Sequence, residues 1–201
     1  MRQLVRSIVL TLVLFVICGV AYPIAGWALS QAAFHGQANG SIAKNGSTLI
    51  GQPWSNLTAS HPFIDPRWFQ GRPDADNPLG LKYPGGSAIS GSSSSSNLGP
   101  RSQVLVNDVA AMVALWKKAG IDDPTPDLVT TSASGIDPDI TPQDALVQVP
   151  MVAKARHLSP SALRGLISRQ TVGAQLGFLG APYLNVLQLN EALAAMAGAQ
   201  H

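Results

Sequence analysis

The sequence predicts an α+β protein in which a single N-terminal transmembrane helix precedes an extracytoplasmic domain of helices and short strands. Three observations lead there. Charged residues make up 12% of the chain and mean hydropathy is +0.17, whereas soluble proteins carry roughly 25% charged residues. The apolar excess is concentrated in one uncharged run near the start. Beyond that run, Asn-Gly turns and Pro-marked helix starts follow one another without an internal repeat. At 201 residues the chain has room for one moderate domain and an attachment.

Residues 1–7 hold the only early charges, Arg2 and Arg6. The run Ile8 to Leu29 is 22 residues long and only Thr11, Gly19, Pro23 and Gly26 fall outside the hydrophobic set. As a helix it would rise roughly 33 Å, enough for a hydrocarbon core of about 30 Å. Its 12 Leu, Ile, Val and Phe residues favour insertion by roughly 4 to 7 kcal/mol before Thr, Gly and Pro are counted against it. A cleaved signal peptide is the rival, but residues 17–40 contain no Ala-x-Ala and Cys18 follows Ile17 rather than a small residue. A retained anchor over 8–29 is expected, with Ile8, Leu12, Phe15 and Gly19 in the lipid and Tyr22 and Trp27 near the outer interface. Pro23 is expected to bend or end the helix there. The bias of Arg2 and Arg6 keeps the N-terminus in the cytoplasm and puts 30–201 outside.

The outer domain begins with Asn39-Gly40 and Asn45-Gly46, each suited to a turn needing positive φ, with strands nearby such as Thr48 to Ile50. His61 to Pro84, rich in proline and aromatics, reads as an irregular loop. Gly85 to Ser102, with four Gly and eight Ser, reads as a flexible one, most mobile over Ser92 to Ser96. Apolar residues at 105, 109, 112, 113 and 116 predict a helix over Gln103 to Ala119, stopped by Gly120. Thr141-Pro142 with Asp144 starts a second helix, which Pro150 should kink. Ser159-Pro160 starts a third on Leu163, Leu166 and Ile167, and Asn185 with Gln188 caps a fourth over Val186 to Met196. Leu176 to Leu179 suits a strand or a buried turn.

From residue 30 onward 11 basic residues face 11 acidic ones without clustering, which sets nucleic acid aside. A Walker A loop, a HExxH helix and a Gly-x-Ser-x-Gly elbow are absent, and His35, His61, His157 and His201 share no ligand spacing. Asp122, Asp123, Asp127, Asp137 and Asp139 could hold a hard cation through oxygen ligands, but Asp127, Asp137 and Asp139 lie beside or near prolines, where Asp caps turns, and capping is expected. One enzyme-like pattern remains, Ser41-x-x-Lys44, with Ser95-Ser96-Asn97 as a loose second element. It would make the chain an anchored periplasmic acyl-transfer enzyme, although that chemistry wants the serine at a helix N-terminus and a Lys-Thr-Gly strand that the chain lacks.

Longer strings are more specific: Tyr22-Pro23, FHGQANGS (34–41), GSTLIGQ (46–52), FQGRPDA (69–75), SNLGP (96–100), LVTTSASGIDPDITP (128–142), QVPMVAKAR (148–156) and LGFLGAPYLNVLQLNEAL (176–193). In this order they resemble the C subunit of the bacterial Kdp potassium-transporting ATPase over nearly the whole chain. Asp137-Pro138-Asp139 departs from the family's Asp-Pro-His, and Gln175, Ala181 and Tyr183 replace usual polar positions. The resemblance implies a non-catalytic accessory subunit of the bacterial inner membrane, single-pass, with its domain in the periplasm. The implied partners are a channel-like potassium-selecting subunit, a P-type ATPase subunit and the bilayer. It also implies a catalytic-chaperone role in ATP binding by the pump, with no cofactor held tightly and ATP reached only through the complex. The turn blocks supply the expected contact residues Gln37, Asn39, Gly40, Ser41, Asn97, Gly99, Pro100, Asp137 and Pro138. Gly85, Gly86, Ser87, Ser90 and Gly91 are the only backbone donors suggested for a phosphate, and weak ones.

Overall fold

A computed structural model describes residues 1–52, 54, 64–73, 93 and 95–198. Met1–Ile42 and Ala43–His201 are separate compact units. The first is helical almost throughout: α1 (Arg2–Val16), a π turn over Ile17–Ala21, α2 (Tyr22–Ala33) and a short α3 (His35–Ala38). From Arg2 to Ala33 the apolar helix covers 32 residues, none of whose most apolar window is buried. The hydroxyls of Ser7, Thr11 and Ser30 donate to the carbonyls of Gln3, Ser7 and Gly26 at 2.8–2.9 Å. These three hydroxyls are thereby satisfied by the helix's own backbone.

Pro23 does not end the helix. It occupies the first turn of α2, where a missing amide hydrogen costs nothing, and the preceding π turn passes the chain into it, with the Tyr22 amide reaching back to the Ile17 carbonyl. The helix stops eleven residues later, at Phe34 (φ −136°). After α3 the Asn39 side-chain Nδ2 donates to the His35 carbonyl (2.6 Å) and the Gln31 side chain (3.0 Å), and Gly40 (φ 86°) and Ser41 (φ 48°) turn the chain away.

The second unit opens with two-residue strands β1 (Ile42–Ala43) and β2 (Gly46–Ser47) on either side of a turn. The strand expected over Thr48 to Ile50 is instead a turn, in which the Ser47 hydroxyl accepts from the Leu49 amide. α4 (Gln103–Lys118) buries Asp108, Met112 and Trp116. It ends as the sequence predicts: Gly120 takes φ 92°, its amide meets the Lys117 carbonyl and the Ile121 amide meets the Trp116 carbonyl. That doubled closure satisfies two of the last carbonyls and needs a residue tolerant of positive φ.

α5 (Pro126–Val129) is one turn, and its last carbonyls face inward, where Leu128 accepts from the Trp116 indole at 2.8 Å. β3 (Asp139–Ile140) leads into α6 (Pro142–Arg156) through the capping box read from the sequence. Asp144 accepts from the amide and hydroxyl of Thr141 (2.7 Å each) and also from the hydroxyl of Thr125 (2.5 Å). α6 spans Pro150, which is exposed and gives up only the hydrogen bond due to Leu146, itself at the surface. α7 (Pro160–Gln170) is capped by Ser159 and buries Leu163, Leu166 and Ile167. β4 (Leu184–Asn185) pairs antiparallel with β3, and α8 (Val186–Gly198) follows, its Gln188 amide capped by Asn185 at 3.2 Å.

α6, α7 and α8 pack side by side, and their inner faces meet Trp116, Leu128 and Phe69 in one apolar core. Gln148 and Asn190 lie fully within it.

Leu176 to Leu179 corrects the sequence reading. The segment forms neither a strand nor a buried turn but the tip of an exposed hairpin between α7 and β4. Val172 and Tyr183 exchange amide hydrogen bonds at its base (2.9 and 3.0 Å), and Gln175 and Leu179 do so near the tip (2.9 Å each). Leu176 is 83% exposed, Phe178 74% and Leu179 49%. Backbone pairing across the hairpin satisfies the polar groups with no core over it, so composition alone mistook an apolar projection for an interior segment.

Candidate functional site

Parts of five of the blocks that resemble the transport family, within 46–52, 69–73, 128–142, 148–156 and 184–193, come together in the second unit around residues 65–72. The chain there is irregular yet buried, and its backbone needs partners. Two side-chain amides provide them. Asn190 accepts from the Phe69 amide (2.9 Å) and donates to the Phe69 carbonyl (2.8 Å). Gln148 does the same for Gln70, at 2.7 and 3.0 Å. Each amide mimics one rung of a sheet, so α6 and α8 hold the loop from opposite elements. The Gln70 side chain in turn donates to the carbonyls of Trp54, Asp65 and Trp68.

On the side of this loop nearer its start, Asp65 accepts from the Arg67 side chain at Oδ2 (2.6 and 3.1 Å) and Oδ1 (2.9 Å) and from the Arg67 backbone amide (3.0 Å). The guanidinium hydrogen bond holds the Asp65 carboxyl below the usual carboxylate range and raises Arg67. Arg156 stacks 4.0 Å over the Trp68 ring and donates to the Arg67 carbonyl at 2.6 Å, while Trp54 leans on Trp68 with ring centroids 5.1 Å apart. Burial, followed by repulsion from Arg67, lowers Arg156.

On the other side, Arg72 donates to the Thr130 hydroxyl and the Thr131 carbonyl (3.4 and 3.2 Å) and lies 3.5 Å from Asp127 and 4.0 Å from Asp137. Asp137 also accepts the Asp139 amide at 3.1 Å, the turn-capping role expected of it. Pro138 offers its carbonyl to the Val186 amide (3.0 Å). Gly51 closes the group: its amide donates to the Ile136 carbonyl (2.8 Å), and a Cβ there would stand 2.5 Å from the Asp137 carbonyl oxygen. Asn185 ties Thr48 to Asp139, at 2.8 and 3.1 Å. Burial raises the Asp139 carboxyl, and the Asn185 hydrogen bond pulls against it.

The expected contact residues divide accordingly. Gln37, Asn39, Gly40 and Ser41 share the turn that ends the first unit. Asn97 (φ 52°) accepts from the Ser95 hydroxyl in a local turn, with Gly99 and Pro100 exposed beside it. Asp137 and Pro138 belong to the Arg72–Gly51 group. Ser41 follows the C-terminal end of α3 and so lacks the helix N-terminus that the acyl-transfer pattern requires, and Ser95 and Asn97 bond to each other. Gly85, Gly86, Ser87, Ser90 and Gly91 lie outside the described residues, as do 61–63 and 74–84 of the loop expected over 61–84, 85–92 and 94 of the flexible loop expected over 85–102, and the histidines 61 and 201. His35 bonds the Gln31 side chain (3.1 Å), and His157 ends α6 at φ 56°. Among the described residues no group of three His, Cys, Asp or Glu side chains is placed to hold a metal.

Sequence reading passed over Gln148, Asn190 and Arg72. The first two carried a signal: Gln148 falls on the face of Ala145, Val149 and Val152, and Asn190 on that of Val186, Leu189 and Leu193. A lone amide on an otherwise apolar stripe has to find a buried partner. Gln148 and Asn190 bind backbone and thereby fix the path of the 65–72 loop.

A family model described as the K+-transporting ATPase c chain, KdpC, matches residues 4–195. The potassium-transporting ATPase KdpC subunit of Burkholderia vietnamiensis is 45% identical, the match covering 98% of this chain and 99% of that one. That of Paraburkholderia xenovorans is 42% identical, covering 98% of each, and that of Sorangium cellulosum 44%, covering 93% and 94%. A match of this extent, running from the apolar helix through α8, places the chain in the KdpC family, the C subunits of potassium-transporting ATPases.

Proposed function

We propose that this chain, a non-catalytic accessory subunit in potassium uptake, holds its complex together from the periplasmic side of the inner membrane. Its helix packs among the membrane helices of the channel-like and P-type ATPase subunits, and its second unit covers the external face of the potassium-selecting one. The observation carrying this reading is the 32-residue apolar helix, exposed along its whole most apolar window, on a chain of this family. In lipid such a helix gains little from burial against other apolar groups, so specific association depends on close packing at small residues, here Ala21, Ala25 and Gly26. Contact loops are offered by Gln37–Ser41, Ser96–Pro100 and Ser134–Pro142. The chaperone effect on ATP binding by the pump is transmitted through the assembled complex, with no nucleotide held tightly by this chain.

The test is replacement of residues 8–29 by an unrelated apolar span of equal length. Recovery of the intact complex from membranes should fall while the chain itself stays membrane-bound. Unchanged recovery would retire specific packing of this helix. Protease added to intact spheroplasts should digest the second unit, and its protection would reverse the orientation.

A further inference from the structure

The exposed hairpin between α7 and β4 has no role in the core or in the site just described. Residues 171–183 contain no charged side chain, and the tip presents Leu176, Phe178 and Leu179 to the outside, with Val172 and Tyr183 also exposed at its base. The projection is built rather than frayed. Two pairs of backbone hydrogen bonds close it, and the chain turns through three positions of positive φ, Leu176 (54°), Gly177 (82°) and Gly180 (82°). Leucine in the left-handed region is strained, and such strain persists where the surrounding backbone imposes it, commonly at a functional surface.

Charge indicates what covers it. Between Ala145 and Asn190 the chain has four basic residues, Lys154, Arg156, Arg164 and Arg169, and no acidic one. Arg164 and Arg169 are exposed on α7, and Arg169 stands two residues before the hairpin begins at Thr171. An uncharged apolar tip with an aromatic at its base and cations at its root matches the depth profile of a bilayer surface: acyl chains, then the interfacial region, then anionic headgroups. The second unit is joined to the apolar helix by a short link. Ala43, where the second unit begins, follows the end of α2 at Ala33 by ten residues, a link of at most about 35 Å.

We propose that the Leu176–Gly180 tip inserts into the interface of the membrane that holds α1 and α2, with Arg169 at the anionic headgroups. This second attachment limits rotation of the outer unit on its tether. It uses only the membrane anchorage of the chain and does not depend on which subunit the outer unit covers.

The test uses the full-length chain carrying Cys18→Ser and Phe178→Cys, labelled with an environment-sensitive fluorophore and reconstituted into phosphatidylcholine vesicles with a third phosphatidylglycerol. Recovery with the vesicles reports the anchor, and the fluorophore reports the hairpin. Emission should be blue-shifted, and nitroxide on the acyl chains near the headgroups should quench it about threefold more than the same label at Lys118→Cys, because the tip enters by about 5–10 Å. Adding Arg169→Glu should reduce that quenching. Water-like emission without acyl quenching would overturn the proposal. So would blue-shifted emission that lipid nitroxide leaves untouched, because the tip would then be covered by protein. Quenching unchanged by Arg169→Glu would overturn the part assigned to Arg169.

Discussion

Two short irregular segments of the second unit each carry large apolar side chains, yet one is enclosed and the other projects. At Phe69-Gln70 the ring is fully buried and the backbone is paired rung by rung with the amides of Asn190 and Gln148. At Leu176–Leu179 the side chains face out and the backbone is paired with the opposite arm of its own hairpin. Apolar composition does not separate them. What separates them is where the peptide groups find partners: the buried loop depends on two side chains far away in sequence, and the hairpin depends on nothing beyond itself.

The sharpest break of this contrast is Asn190→Ala or Gln148→Ala. Either leaves a buried amide and a buried carbonyl without partners, and at about 1–3 kcal/mol for each the expected loss is about 2–6 kcal/mol of stability, read by thermal or urea denaturation of the full chain in detergent. A loss below about 1 kcal/mol would mean that the loop finds other partners. Next in size is Gly51→Ala. With its Cβ driven into the Asp137 carbonyl, it should cost about 1–3 kcal/mol and open residues 46–52 to protease. Preserved protection would show that the Gly51–Asp137 approach can relax.

A smaller effect of opposite sign is expected at Asp108. It is buried on α4 with one carboxyl oxygen lacking a partner, and burial raises its pKa. A raised folded-state pKa means that the proton is held more tightly in the folded chain. Its contribution is therefore fully present below the unfolded carboxylate value and disappears as pH rises through the folded one. Asp108→Asn should thus stabilise the protein near neutral pH by about 1 kcal/mol and flatten the dependence of stability on mildly acid pH. Destabilisation at pH 7 would show that the charged carboxylate has a partner after all. The smallest effect belongs to the hairpin. Phe178→Ser should change stability by no more than about 0.5 kcal/mol, because little is buried there. A larger loss in detergent would bring the tip into the core and erase the contrast.

Much of the fold could be read in advance where a signal is local. The Thr141–Asp144 capping box, the Ser159 and Asn185 caps and the Gly120 stop are each decided within four residues. The apolar helix was legible for the same reason, though its passage through Pro23 was not, because a π turn leaves no mark in composition. The clamp on Phe69-Gln70 joins positions 78 and 121 residues apart, so no window could show it. Only the misplaced amides on α6 and α8 hinted at it. The exposure of Leu176–Leu179 was misread because hydropathy reports what a segment favours and says nothing about whether a neighbour is there to provide it.

The π turn over Ile17–Ala21 has a bearing on how the anchor meets its surroundings. One residue added to a turn offsets all that follows by about 100° relative to an uninterrupted spiral. A stripe traced down a helical wheel from α1 therefore does not continue along α2. The two halves of the long helix thus present their side chains to different sectors around its axis, and a stripe of small residues on one half does not line up with one on the other.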